Sequence, residues 1–158
     1  MRNSRKFRKL LLLALISLVL GFSKSALADD IILNDLGGKI VNLSSYTSYK
    51  GKPVILFFWT TWCPYCRSEL KVLNKMHSQM EKEGVAVFAV NIGEAGYKVE
   101  RFLKNYALNI RVLLDKNAQA AENYEIRGVP TYIFINKTGQ VVSTEHNLPD
   151  NYMDILLR

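Results

Sequence analysis

The sequence contains no third cysteine. Cys63 and Cys66 are the only two in 158 residues, so the pair has no other partner within the chain. Histidine is equally scarce: His77 and His146 are the only two, and neither has metal-ligand spacing to the cysteines. A zinc site with four protein ligands is therefore not built here. Covalent haem attachment needs a histidine directly after the second cysteine, and Arg67 stands there. No apolar stretch reaches the roughly 20 residues that span a bilayer. Leu10 to Phe22, near the N-terminus, is 13 residues long. A charge excess that would suit nucleic acid is also missing. Six of the 21 basic residues lie in the first 28 positions, which leaves 15 basic against 14 acidic in the remainder. There are no repeats or low-complexity tracts.

What is present is Trp62-Cys63-Pro64-Tyr65-Cys66. Two cysteines separated by two residues either close a small disulfide ring or stand as a dithiol, and the exchange between those states is two-electron redox chemistry. As a purely structural crosslink the pair would constrain the unfolded chain little, because the loop is so short. Its surroundings favour catalysis. Gly51-Lys52-Pro53 reads as a turn, and the unbroken apolar run Val54 to Trp59 predicts a strand buried on both faces. Leu70, Leu73, Met76, His77 and Met80 recur at helical spacing, which predicts a helix from about Cys63 to Lys82. The motif then sits at a strand-to-helix junction. Unpartnered amide N–H groups and the positive end of the helix dipole lie there, and both stabilise a thiolate. Pro64 suits the first helical turn, where its missing N–H is not needed.

The N-terminus reads as an export signal. Arg2, Arg5, Lys6, Arg8 and Lys9 precede the apolar stretch, and Ala26-Leu27-Ala28 matches the small-x-small cleavage pattern. Residues 1–28 are expected to be a secretory signal peptide, with retention as an uncleaved anchor as the alternative. Residues 29–158 are expected to form one domain, long enough for a substantial core.

Along that domain strand and helix signals alternate. Ile31–Leu33 and Lys39–Leu43 flank Asp35-Leu36-Gly37-Gly38 and predict a hairpin. Val85–Ile92 predicts a strand. Val99, Phe102, Leu103 and Tyr106 mark a helix. Arg111–Leu114 predicts a short strand and Asn117–Tyr124 a short helix. Thr131–Asn136 and Gln140–Thr144 predict a second hairpin, and a last helix is expected from Pro149 to Leu157. The pattern implies an α/β domain: a mixed sheet flanked by helices on both faces.

Phe58 to Glu69 resembles the active-site segment of the thioredoxin superfamily in its exported TlpA/ResA branch. Gly128-Val129-Pro130-Thr131 resembles the cis-proline loop of that family, and Asn91-Ile92-Gly93-Glu94 resembles a segment of its ResA-like members. The likeness covers roughly Ile31 to Thr144. It implies a thioredoxin-like mixed sheet with an N-terminal β-hairpin extension. It also implies a protein thiol-disulfide oxidoreductase that needs no cofactor and no metal beyond its own two sulfurs. On this resemblance Cys63 is the nucleophile and Cys66 resolves the mixed disulfide. Val129 offers its backbone to an extended substrate beside a cis Pro130. Trp62, Pro64 and Tyr65 line the substrate's approach.

Thioredoxins carry a buried acid six positions before the first cysteine, and here Phe57 stands in that place. The resemblance puts Glu94 forward instead, as a carboxylate that raises the second thiol's pKa and shuttles its proton. A solvated loop carboxylate is the plainer reading. The family pattern also has proline where Leu70 stands, which leaves the orientation of the second cysteine open. His77 and His146 read as structural.

The implied partners are exported protein thiols and disulfides, for example apocytochrome c before haem attachment. A membrane thiol transporter of the CcdA/DsbD kind is the implied electron donor. No nucleic acid is expected, and the expected form is a monomer, periplasmic or anchored on the extracytoplasmic side. Three alternatives stay open. The first is a DsbA-like oxidant, which the Pro64-Tyr65 dipeptide permits. The second is a peroxiredoxin-type peroxidase, against which Leu56 stands where a proline belongs. The third is a non-catalytic copper-binding module of the same fold.

Overall fold

The computed structural model describes residues 31–47 and 51–158. The expected signal peptide, residues 1–28, lies outside the described residues. Seven strands form one sheet: β1 Ile32–Asp35, β2 Ile40–Asn42, β3 Val54–Trp59, β4 Ala86–Ile92, β5 Arg111–Asp115, β6 Thr131–Ile135 and β7 Val141–Glu145. Among the described residues five helices accompany it: α1 Ser44–Thr47, α2 Pro64–Lys82, α3 Gly96–Leu103, α4 Gln119–Asn123 and α5 Tyr152–Leu156. The strand order is β2-β1-β5-β4-β3-β6-β7. β3 pairs parallel with β4, and β4 parallel with β5; the remaining pairs are antiparallel. This is the expected mixed sheet.

β3 is central, and all six of its residues are buried. Alternate side chains of a strand point to opposite faces, so β3 supplies both cores. Ile55, Phe57 and Trp59 join Leu70, Leu73 and Met80 of α2 on one face. Val54, Leu56 and Phe58 join Ala120 and Ala121 of α4 on the other. The continuous apolar run is thus the signature of a strand covered twice.

The N-terminal hairpin does more than extend the domain. β1 pairs with β5 through Asn34–Leu114 and Asp35–Leu113. Arg111 on β5 fixes that pairing by donating to Asp35 Oδ2 from Nε at 3.0 Å and Nη2 at 2.6 Å. The Arg111 bonds come first among the causes that hold the Asp35 carboxyl below its usual range.

α2 runs unbroken as an α-helix through Leu70, the position where the family pattern has proline. Leu70 keeps its backbone N–H, and its side chain is fully buried against β3. The expected start of α4 at Asn117 needs correction. Ala118 adopts a left-handed φ of 59°, so the chain turns there and α4 begins at Gln119. Likewise α5 begins at Tyr152 rather than at Pro149.

Candidate active site

Cys63 is the N-cap of α2, and its sulfur accepts a hydrogen bond from Cys66 N at 3.1 Å. The sequence folds this way because β3 ends at Trp59 and Pro64 opens the helix with a fixed φ. The two cysteines are joined in a disulfide. Cys66 is wholly inaccessible, while Cys63 retains 4 % exposure. Trp62 and Tyr65 flank the sulfurs as exposed aromatics, at 64 % and 78 %.

The Val129–Pro130 bond is cis, and Val129 O lies 3.7 Å from Cys63 Sγ. In the disulfide the sulfur has no hydrogen, so this is a contact; a Cys63 thiol would have an S–H to offer the same carbonyl. The loop is held from both sides. Thr131 Oγ1 donates to Gly128 O at 2.8 Å, and His146 Nδ1 lies 3.0 Å from Pro130 O. That carbonyl accepts only, so the Nδ1 nitrogen is the protonated one. His146, read from the sequence as structural, is thus a support of the active-site loop.

Two grooves meet at this loop. One, of about 650 Å³, is lined by Thr60, Trp62, Ile92, Ala121, Ile126 and Val129 among others. The other, of about 470 Å³, runs past Tyr65, Ser68, Glu69, Pro130 and His146. An extended chain crossing Val129 would lie in both.

Glu94 is buried, at 7 % exposure, and is not a solvated loop carboxylate. Gly93 turns the chain with a φ of +69°, a conformation that side-chain-bearing residues rarely adopt. The Glu94 carboxylate then accepts from Thr61 N at 2.7 Å, Thr61 Oγ1 at 2.7 Å and Asn91 Nδ2 at 2.9 Å, and pairs with Lys98 Nζ at 2.9 Å. Burial alone would raise this carboxyl. The bonds from Lys98, Asn91 and Thr61 outweigh it and hold the group down from 4.5 to about 2. Among the described contacts none runs from Glu94 to a sulfur. The link goes through Thr61, two residues before Cys63.

Thr61, Lys98 and Arg67 were not singled out from the sequence. Lys98 lies on α3, whereas Glu94 stands in the loop before that helix, so no helical spacing joined the two in the sequence. Thr61 carried no signal, because it meets Glu94 across 33 positions of chain. Phe57, at the family's acid position, packs instead against the Tyr132 ring, with centroids 4.7 Å apart. Tyr132 OH donates to Glu69 Oε2 at 2.9 Å, and burial together with that carboxylate pushes its phenol far above the usual range. Leu148 N donates to the same oxygen at 3.1 Å, so Glu69 ties α2 to β6 and to the segment before α5. Among the described residues no cluster of three or more His, Cys, Asp or Glu is arranged to hold a metal ion.

The family model of AhpC/TSA matches residues 25–144. The chain belongs to the AhpC/TSA family. Within this family it is similar to the thiol-disulfide oxidoreductase ResA of Bacillus subtilis, 35% identical over 140 residues, which cover 85% of this chain and 76% of that protein. The thiol-disulfide oxidoreductase ResA of Halalkalibacterium halodurans is 32% identical over 154 residues, covering 89% of this chain and 86% of that one. Among solved structures, a Chlorobium tepidum protein assigned as thiol:disulfide interchange protein DsbE superposes with a TM-score of 0.74 at 28% identity. The match covers 87% of this chain and 97% of the other. The AhpC/TSA chain described here is accordingly a ResA-like thiol-disulfide oxidoreductase of thioredoxin-like fold, as the motif residues implied.

Proposed function

We propose that the protein is exported and reduces disulfides in other exported proteins, apocytochrome c before haem attachment being the leading example. A membrane thiol transporter of the CcdA/DsbD kind would return Cys63 and Cys66 to the dithiol. The observation that carries this reading is the disulfide at the N-terminus of α2, with Cys63 at its outer edge and the Val129 carbonyl beside it. Likeness to the ResA proteins supports the direction of electron flow.

In the proposed cycle the Cys63 thiolate attacks one sulfur of a substrate disulfide, and the other substrate sulfur leaves as a thiolate. The α2 N-terminus stabilises the attacking charge. Cys66 then attacks Cys63, restoring the internal disulfide and releasing the second substrate thiol. Trp62, Tyr65 and the Val129–Pro130 edge hold the substrate across the two grooves. A carboxyl held near 2 is unprotonated at neutral pH and poorly matched to passing a proton. Glu94 is therefore assigned a positioning role, as the anchor for Thr61 two residues before Cys63.

Export and monomeric form belong to the same proposal. No helix among the described residues is long and apolar enough to cross a membrane. Removing the protein from its host tests the reading. Loss of covalent haem c that an added dithiol reductant restores is the expected result. Haem c assembly that proceeds unchanged, or a shortage of disulfides in exported proteins that added oxidant cures, would overturn it in favour of an oxidant.

A further inference from the structure

Thr61 has three polar atoms, and each is held. Its N and Oγ1 bind the Glu94 carboxylate, and its carbonyl accepts from Arg67 Nε at 3.3 Å and Nη2 at 3.1 Å. The Glu94 and Arg67 side chains thus grip one loop residue through opposite ends of its backbone. That residue precedes exposed Trp62, which has no burial to anchor it, and then Cys63. The two grips also share a support. Lys98 reaches Glu94 at 2.9 Å, and the Arg67 guanidinium lies over the Phe102 ring, 5.5 Å from its centroid. Lys98 and Phe102 are four residues apart, so they stand on one face of α3. Phe102 is itself packed against Trp59 and Tyr106.

We propose that Arg67 is a positioning residue for the dithiol: braced on Phe102, it holds the Thr61 carbonyl against the pull of Glu94 and so fixes Cys63 at the N-terminus of α2. Two N–H groups of one planar fork meet a single oxygen while the guanidinium carbon stands over an aromatic ring. A lysine ammonium cannot reproduce both contacts. Arg67 is exposed, so its charge is screened and its geometry carries the effect. The inference rests on Cys63 being the reacting thiolate. When the loop loosens, the thiolate loses alignment with the helix N–H groups. The reduced form is then less favoured, and the pair becomes easier to oxidise.

The test uses the full-length protein and its variants Arg67→Met and Arg67→Lys. The disulfide is equilibrated against glutathione buffers, and alkylation of the reduced protein by iodoacetamide is followed against pH. For Arg67→Met the equilibrium should move three- to tenfold toward the disulfide, and the alkylation profile should move to higher pH. Arg67→Lys should move both in the same direction. Arg101→Met, which removes an equal charge elsewhere, should overlay the parent. Phe102→Leu, which takes away the ring under Arg67 together with its contacts to Trp59 and Tyr106, should move both readouts as Arg67→Met does, by less. Arg67→Met curves that overlay the parent would overturn the proposal. So would an Arg67→Lys protein that recovers the parent's values, because charge would then suffice. A parent that fails to exchange with glutathione would instead refute the redox reading itself.

Discussion

Replacing Glu94 by glutamine separates a structural carboxylate from a bystander. The carboxylate accepts two bonds from Thr61, one from Asn91 and an ion pair from Lys98. A glutamine of nearly the same volume has one acceptor oxygen, and its NH2 must face either a Thr61 donor or the Lys98 ammonium. Holding the carboxyl at about 2 instead of 4.5 corresponds, at about 1.4 kcal/mol for each pH unit, to about 3 kcal/mol. The depressed value belongs to the folded state. The contribution is therefore fully present above the ordinary carboxyl range and fades as pH falls from about 5 toward 2. Glu94→Gln should unfold from a native-like fold with a stability about 3 kcal/mol lower at pH 7. With a urea slope near 2 kcal/mol/M that is a midpoint shift of about 1.5 M. The deficit should shrink steadily as pH approaches 2. The assay is urea unfolding of the oxidised protein across that range. A difference under about 0.5 kcal/mol at pH 7, or one that is equally large near pH 2, would refute the reasoning.

Other variants probe other links. After reduction, iodoacetamide at neutral pH should label Cys63 well before Cys66, because Cys63 alone shows exposure and sits at the helix N-cap. Faster labelling of Cys66 would reverse the assigned roles. Asp115 is wholly buried and accepts from Ala120 N at 3.1 Å and Ala121 N at 2.9 Å, where Ala118 offers no capping side chain. Asp115→Ala should cost about 2 kcal/mol in thermal or urea unfolding. Because Ala121 lines the larger groove, the same change should weaken binding of a cysteine-containing test peptide. A loss under about 0.5 kcal/mol would show that α4 does not depend on this cap.

Much of the fold was legible in the sequence because its cues are local. The apolar run Val54–Trp59 is a buried strand at those same bounds, and the period of Leu70, Leu73 and Met80 gives the buried face of α2. α1 was missed because four residues hold no period. The bounds of α4 were missed because a left-handed alanine at 118 has no propensity signal, and the cap comes from Asp115 rather than from an adjacent residue. The site divides the same way. Cys63, Cys66 and the Val129–Pro130 loop announce themselves in short motifs. The clamp on Thr61 joins Arg67, six residues on in the same segment, to Glu94, 33 residues away, and only tertiary structure brings in that second half. Glu94 could be named from its segment, but its partners could not.

The equilibrium reduction potential of the Cys63–Cys66 pair, measured against glutathione buffers, tests the central claim most directly. A reductant of exported disulfides should lie near the value of thioredoxin, about −270 mV. A potential near that of DsbA, about −120 mV, would contradict the account and make the protein an oxidant.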